Sequence, residues 1–358
     1  MYPIIFAGGT GTRLWPVSRK ESPKQIKPFL DGETLLLKTY KRILNIESAQ
    51  NIFLSTNIKL FTEAKKELQG LPDKNFILEP LKRDTAPALA LSLLKILKRN
   101  KDGIFVCVYS DAFIKDEKEY TRILKLGENI VKQNPNKILL VGINPSYPET
   151  GYGYIKSGEF FKNFEGDDVF NVDGFKEKPD LETAKKYLES TDYLWNPTVI
   201  MARADHFLGL YKKYLPEMYD ILMKINEAID TDDEDEVIAD LFPIINPIST
   251  DHGILEKEKE MLVIPANFGW TDVGHWRAIL DILSNDSNDN IELSNHIHTD
   301  SSGNLIYSLT GKLTATIGLE NMIIVETEDA LLICPKDRAQ DVKKIVQKLE
   351  EQKLTKYL

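Results

Sequence analysis

The run Ala7-Gly8-Gly9-Thr10-Gly11-Thr12-Arg13-Leu14-Trp15-Pro16 holds the residue types best suited to chemistry in this chain. Glycines after a β-rich segment let the backbone bend and bring N–H groups against phosphate oxygens, and Arg13 supplies a forked cation at the same place. The combination describes a nucleoside triphosphate site. Two familiar nucleotide loops do not fit it: the Walker loop needs Gly-Lys followed by Ser or Thr, and the dinucleotide loop needs Gly or Ala where Leu14 stands. Asp111 follows the apolar run Ile104–Tyr109, at the carboxyl edge where parallel sheets bind ligands, and Asp272 lies in a Gly/Trp-rich turn before a helix. On residue type alone each also reads as a helix cap.

Other clusters carry less. Cys107 and Cys334 sit in apolar runs and read as buried free thiols of a reducing compartment. His296 and His298 lie two apart, on one face of a strand, but no third ligand is near them in sequence, so a polar surface strand is expected. His206, His252 and His275 are isolated. The acidic run Asp230–Glu236 reads as a solvated surface segment.

The elements that must position these residues alternate through the first half. Strands are expected at Pro3–Ala7, Ile52–Thr56, Phe76–Leu78, Ile104–Tyr109 and Ile138–Ile143, with amphipathic helices at Leu35–Ile46, Leu60–Leu68, Ala86–Lys98 and Tyr120–Lys132 between them. This pattern implies parallel strands with crossover helices. After Pro145 the order loosens. Strands near Gly153–Lys156, Val169–Lys176, Thr198–Ala202 and Met261–Pro265 are separated by helices at Leu181–Leu188, Ala204–Tyr214 and Glu217–Ile229, the last two divided at Pro216. From Asn290 short β-rich pieces alternate with Gly, Asn and Asp turns, as in a small β-helix or sandwich. A helix at Asp337–Gln352 closes the sequence, with Val342, Ile345, Val346 and Leu349 as its apolar stripe.

The composition is that of a globular protein: 358 residues, 42% hydrophobic and 28% charged. The length favours one large domain and a smaller appendage, since single cores stop growing near ~250–300 residues. A net charge of -10 offers no basic field for a nucleic-acid backbone. The N-terminal run has no basic leader, and the longest apolar stretch, Ala86 to Leu97, is shorter than the ~20 residues a membrane span needs. No nucleic-acid or membrane partner is expected, and the expected location is cytoplasmic.

Beyond Pro16 the loop runs on through Val17-Ser18-Arg19 to Ser22-Pro23-Lys24-Gln25. With these neighbours it resembles the sugar-phosphate nucleotidyltransferases, and among them the mannose-1-phosphate guanylyltransferases (GDP-mannose pyrophosphorylases). Further matching blocks extend the resemblance over nearly the whole chain: Glu79-Pro80, Arg83 to Ala88, Ser110-Asp111, Gly151 to Ile155, Phe175 to Pro179, Trp195-Asn196, Ser249 to Lys257 and Phe268 to Trp276. Such a family joins a nucleoside triphosphate to a sugar 1-phosphate and releases pyrophosphate. A phosphate monoester is already an anionic nucleophile, so positioning and charge neutralisation carry the reaction.

The resemblance implies roles residue by residue. Ala7, Gly8, Gly9, Gly11, Thr12 and Arg13 would hold the nucleotide, with Arg13 and Lys24 as the catalytic cations around the β- and γ-phosphates. Asp111 and Asp272 would bind Mg2+. Glu79, Pro80, Asp84, Thr85 and Ala86 would line the guanine pocket, although Asp84 reads equally as the N-cap of the following helix. Gly153, Glu177, Lys178, Asn196 and Asp251 would hold the sugar and its phosphate. The implied partners are GTP and a sugar 1-phosphate, mannose 1-phosphate favoured, with a homodimer left open.

The expected fold is therefore α/β. Residues 1–286 form a doubly wound, mixed, mostly parallel Rossmann-like nucleotidyltransferase sheet, and residues 287–358 a small β-rich, short left-handed β-helix-like domain with a terminal helix. A bifunctional relative carries an additional cupin-like isomerase domain, for which no room is expected after Ile333. Four positions depart from the family pattern: Ala112 stands where a histidine is usual, Pro197-Thr198 where Ser-Gly is usual, and His252 where a tyrosine is usual. They put the choice of sugar in question. The alternatives are another sugar or base, or a catalytically silent subunit that binds a nucleotide sugar; retention of both Asp111 and Asp272 argues against the silent one.

Overall fold

The structure, a computed structural model, describes residues 1–358 except Thr10, Glu21, Pro23, Asp31, Asn285 and Ser287, and describes Leu30 by its backbone alone. By contact the chain divides into two compact units. Met1–Gly8, Thr39–Ser110 and Ile114–Trp270 make the first; Gly9–Lys38, Asp111–Phe113 and Thr271–Leu358 make the second. This division is discontinuous, unlike the linear one expected at 286/287, whose Ser287 lies outside the described residues.

The first unit is built on ten strands: β1 (Tyr2–Ala7), β2 (Phe53–Asn57), β3 (Phe76–Glu79), β4 (Ile104–Tyr109), β5 (Ile138–Ile143), β6 (Gly153–Phe164), β7 (Asp167–Glu177), β8 (Tyr193–Asn196), β9 (Ile200–Arg203) and β10 (Met261–Ala266). Their order across the sheet is β8-β6-β7-β10-β5-β9-β4-β1-β2-β3. β3, β2, β1 and β4 run parallel, as do β5 and β10, while β9 lies antiparallel between β4 and β5. The central strands read as unbroken apolar runs because both sheet faces are covered: every residue of β5 is buried. Helix α1 (Thr85–Arg99) is buried from Ala86 to Ile96 and packs into the core with Ile4, Phe53 and Phe105.

Three departures from the sequence reading occur here. The β6–β7 hairpin is longer than expected, because its solvated outer half lacks an apolar face; it turns at Glu165-Gly166, both at positive φ. The short strand β8 carries no periodic signal in its few residues. The acidic run is not wholly a solvated segment: Glu234–Leu241 is a helix, and Asp230 and Glu234 pair with the nearly buried Lys95, which needs anionic partners there. No helix among the described residues is long and apolar enough to cross a membrane.

The second unit contains a small parallel coil. β11 (Ile291–Leu293), β13 (Leu305–Ser308) and β15 (Met322–Glu326) stack in parallel, with β16 (Leu331–Pro335) antiparallel at the end, and β12 (His296–Thr299) pairs in parallel with β14 (Thr314–Ile317). An asparagine ladder ties successive turns. Asn290 Oδ1 accepts from Asn304 N at 3.1 Å and Nδ2 at 2.9 Å, and Asn304 Oδ1 accepts from Met322 N at 2.8 Å.

The coil does not build its core alone. Leu305, Tyr307, Ile323 and Val325 pack with Leu14, Trp15, Val17, Phe29 and Trp276, and this shared core makes the unit discontinuous in sequence. Helix α2 (Trp276–Leu283) and the terminal helix α3 (Val342–Glu351) complete it. In α3, Val342 and Val346 are buried as expected, but Ile345 is exposed. His296 and His298 lie on β12, where His296 Nδ1 is hydrogen-bonded to Glu292 Oε1 at 2.7 Å and Nε2 to Thr316 Oγ1 at 2.9 Å, a cross-coil clamp. Among the described residues no group of three or more His, Cys, Asp or Glu is placed to hold a metal. Both cysteines are free; Cys107 is buried, whereas Cys334 is only partly so, because the last strand of the coil alternates between core and solvent.

Candidate active site

The glycine loop crosses the division: Ala7 and Gly8 close the first segment of unit 1, and Gly9 opens unit 2. Ala7 is buried at the end of β1, where its carbonyl accepts from Thr56 Oγ1 at 2.8 Å. In unit 2 the chain passes Gly11 at φ +61, where a Cβ would lie 2.5 Å from Ser18 Oγ and 3.0 Å from Lys24 Cβ, so only glycine fits. Thr12 and Arg13 form a short 3-10 turn whose Leu14 is buried in the shared core. Thr10 and Pro23 of the same motif lie outside the described residues.

Lys24 is the centre of this half. Its buried Nζ donates to Val273 O at 3.0 Å and lies 2.9 Å from Asp111 Oδ2 and 3.9 Å from Asp272 Oδ1. Burial alone pulls the ammonium pKa down, but Asp111 and then Asp272 overcome that and raise it. Asp111 O accepts from Val273 N at 2.9 Å, which holds the two carboxylate segments side by side. Arg13 reaches the same place: a Cβ placed on Gly274 would lie 2.6 Å from Asp272 Oδ2 and 3.3 Å from Arg13 Nη2. His275 reports the local field. Burial first, then Arg13, Arg277 and Lys24, push its pKa down to about 4, and its Nδ1 accepts from Ala278 N at 3.2 Å as the cap of α2.

Two hard carboxylates converging on one cationic position, next to a glycine-rich loop and an arginine, form a donor set suited to a divalent cation shared with phosphate oxygens. Asp111 and Asp272 fit that group. The Lys24 ammonium already occupies the neighbouring cationic position, so the pair is anionic enough to hold positive charge.

In unit 1 the sheet register gathers residues expected to hold the sugar. Gly153 of β6 is the register partner of Glu177 on β7 and of Asn196 on β8. A Cβ on Gly153 would come 2.5 Å from Glu177 Oε2 and 3.3 Å from Asn196 Cβ, so any side chain here would displace the Glu177 carboxylate. Asn196 is fixed at both ends of its amide: Oδ1 accepts from Thr198 N at 2.9 Å, and Nδ2 donates to Asp251 Oδ1 at 3.2 Å. Burial, then the charge of Glu177, raise the Asp251 carboxyl to about 7. Lys178 pairs with Glu177 and is held at positive φ. Thr198 also has positive φ, at 60°, a conformation that suits the glycine usual there and strains a β-branched residue.

The residues expected to line the base pocket lie at the end of β3 and the start of α1. Glu79 Oε1 accepts from Ser55 Oγ at 3.0 Å, and burial raises its carboxyl to about 7. Pro80 follows it, half-buried. Asp84, at φ 68, accepts from Thr85 N at 2.7 Å and so does cap α1. Thr85 Oγ1 accepts from Thr250 N at 2.8 Å. Ala86 is fully buried, with its N–H donated to Ile248 O and its carbonyl accepting from Tyr211. It therefore anchors the segment through its backbone.

A family model described as nucleotidyl transferase matches residues 2–289. The chain belongs to the nucleotidyl transferase family. A second model, described as a MannoseP isomerase/GMP-like beta-helix domain, matches residues 294–349 of this transferase, in agreement with the coil. It is 35% identical over 355 residues to the alginate biosynthesis protein AlgA of Pseudomonas aeruginosa, covering 98% of this chain and 73% of that one. It is 36% identical over 353 residues to a mannose-1-phosphate guanylyltransferase of Salmonella montevideo, covering 97% and 74%. Among solved structures, a Thermus thermophilus protein described as a mannose-1-phosphate geranyltransferase aligns with a TM-score of 0.87 at 28% identity, covering 98% and 99%.

Two features of this transferase escaped the sequence reading. Gln25 donates through Nε2 to Gly9 O at 3.0 Å and thereby braces the loop; its place in the Ser-Pro-Lys-Gln block was the available signal. The contacts that segment 327–357 makes with Arg13, Trp15 and Arg19 carried none, because they join residues more than three hundred positions apart.

Proposed function

We propose that this transferase moves GMP from GTP to mannose 1-phosphate, giving GDP-mannose and pyrophosphate. The family acts on nucleoside triphosphates and sugar 1-phosphates and works with a divalent cation; GTP, mannose 1-phosphate and Mg2+ are the specific choices made here. The observation that carries the reading is the Lys24–Asp111–Asp272 cluster beside Arg13 in a glycine-rich loop. The relatives named for mannose-1-phosphate guanylyl transfer, of which the chain covers about three quarters, support the choice of base and sugar.

In the reaction, a phosphate oxygen of the sugar 1-phosphate attacks the α-phosphorus. A new P–O bond forms, the bond from the α-phosphorus to the bridging oxygen breaks, and pyrophosphate leaves with that electron pair. Asp111 and Asp272 would hold Mg2+, which when bound neutralises phosphate charge. Arg13 and Lys24 place fixed positive charge where the leaving pyrophosphate accumulates negative charge. Glu177 accepts from sugar hydroxyls, Asn196 is oriented by Asp251 and Thr198, and Lys178 exchanges its Glu177 partner for the sugar phosphate. Glu79, Asp84 and Thr85 face guanine. No protein nucleophile is required, and a reducing cytoplasm suits the two free thiols.

A second reading, a relative preferring another sugar, is favoured by the strained Thr198 next to Asn196. Pyrophosphate release measured over a panel of nucleoside triphosphates and sugar 1-phosphates separates the two. The main reading expects the highest kcat/KM for GTP with mannose 1-phosphate; a clear preference for another sugar establishes the second, and no release with any pair refutes both.

A further inference from the structure

We propose that Gln340 is a positioning residue for Arg13, so that the β-helix-bearing segment sets the geometry of the triphosphate cation; this rests on the role given to Arg13 above. Arg13 Nη1 donates to Gln340 Oε1 at 2.7 Å, while Nη2 lies over Gly274 beside Asp272. A free arginine side chain loses rotamer entropy when it engages a phosphate, and a fixed acceptor on one nitrogen removes part of that loss in advance.

The acceptor is itself well anchored. Gln340 lies in the 3-10 segment Lys336–Asp341 that leads into α3, and its neighbours Ala339, Val342 and Val346 are buried in the same core as Leu14, Trp15 and Val17. Trp15 Nε1 donates to Tyr357 O at 2.8 Å, a second tie between the loop and the same end of the chain.

The chemistry of the acceptor matters as much as its place. Arg19, a few residues along the same loop, is gripped by both oxygens of Asp329, which neutralises it. Arg13 Nη1 is held by an amide, which fixes the guanidinium without itself cancelling its charge. One arginine is thereby spent on structure and the other kept for phosphate.

The test compares Gln340→Met, which keeps length and removes the acceptor, Gln340→Glu, which keeps the acceptor and cancels the charge, Arg13→Ala, and the double variants with Arg13→Ala. For Gln340→Met, kcat/KM for GTP is expected to fall about tenfold to hundredfold, with KM for mannose 1-phosphate changed less than about twofold and the thermal midpoint unchanged. Gln340→Glu is expected to raise KM for GTP with the same midpoint. In the Arg13→Ala background either Gln340 change is expected to add less than about twofold, because both act through one guanidinium. Full activity of Arg13→Ala alone refutes the role of Arg13 and this inference with it. A slow Arg13→Ala enzyme combined with wild-type kinetics in both Gln340 variants, or with losses that simply multiply, overturns the positioning role alone.

Discussion

Replacing Asp251 by asparagine should make the protein more stable, and more so as the pH rises. The carboxyl is nearly enclosed; burial, then Glu177, raise it from 3.8 to about 7, opposed in part by Lys178 and His252. Since the folded state holds this proton more tightly than the unfolded chain, the stability it contributes is whole below the unfolded pKa. It is lost as the pH rises through about 7. At about 1.4 kcal/mol per pH unit the full loss is roughly 4 kcal/mol, of which roughly 2–3 kcal/mol falls between about pH 5 and pH 8. Asparagine keeps the size and can still bond to Asn196, so any change in that bond adds a constant offset. The assay is urea unfolding of wild type and Asp251→Asn across this range. Subtracting the two curves cancels Glu79 and the other groups not coupled to Asp251. The reasoning expects a stability difference that grows with pH by the amount given; a difference that stays flat, or shrinks as pH rises, would refute the buried, proton-holding carboxyl.

Thr198→Gly should raise stability by less than about 1 kcal/mol, since relief of a left-handed β-branched residue is largely offset by the lost Thr198 Oγ1 to Pro197 O bond and the added chain entropy. A lower urea midpoint would contradict the strain. Asn304→Ala should cost roughly 1–3 kcal/mol in the same measurement, because it strands Met322 N and removes one of the two donors to Leu319 O and to Asn290 Oδ1, which keep Ser302 N and Asn304 N; a loss below about 1 kcal/mol would mean the ladder is replaceable. Arg13→Ala should slow pyrophosphate release about a hundredfold while leaving sugar phosphate affinity nearly unchanged. A change confined to sugar phosphate affinity would move Arg13 to the other half of the site.

The parallel strands and most helices were legible because long apolar runs and helical spacing are local signals: Ile104–Tyr109 and Ile138–Ile143 have the expected bounds. What was not legible depends on distant partners. β8 exists because β6 offers it an edge, and the helix in the acidic run exists because Lys95 needs Asp230 and Glu234. The division into units could not be read at all, since Trp15 and Trp276 meet through Trp276 Nε1 and Trp15 O across most of the chain. For the site, residue types pointed to a phosphate loop, but Asp111 and Asp272 were indistinguishable from caps without the resemblance. Their convergence on Lys24 is a property of the fold. Asp84 proved to be a cap whatever else it does, and Ala86 is fully buried.

The most direct measurement of the central claim is the rate of pyrophosphate release from GTP and mannose 1-phosphate by wild type, Asp111→Asn and Asp272→Asn, titrated with magnesium. The convergence of both carboxylates on the Lys24 position predicts that each variant folds normally and loses on the order of a hundredfold or more in rate at limiting magnesium. Wild-type rates at limiting magnesium in either variant would contradict the assignment of these carboxylates to the cation and of the transfer to this cluster.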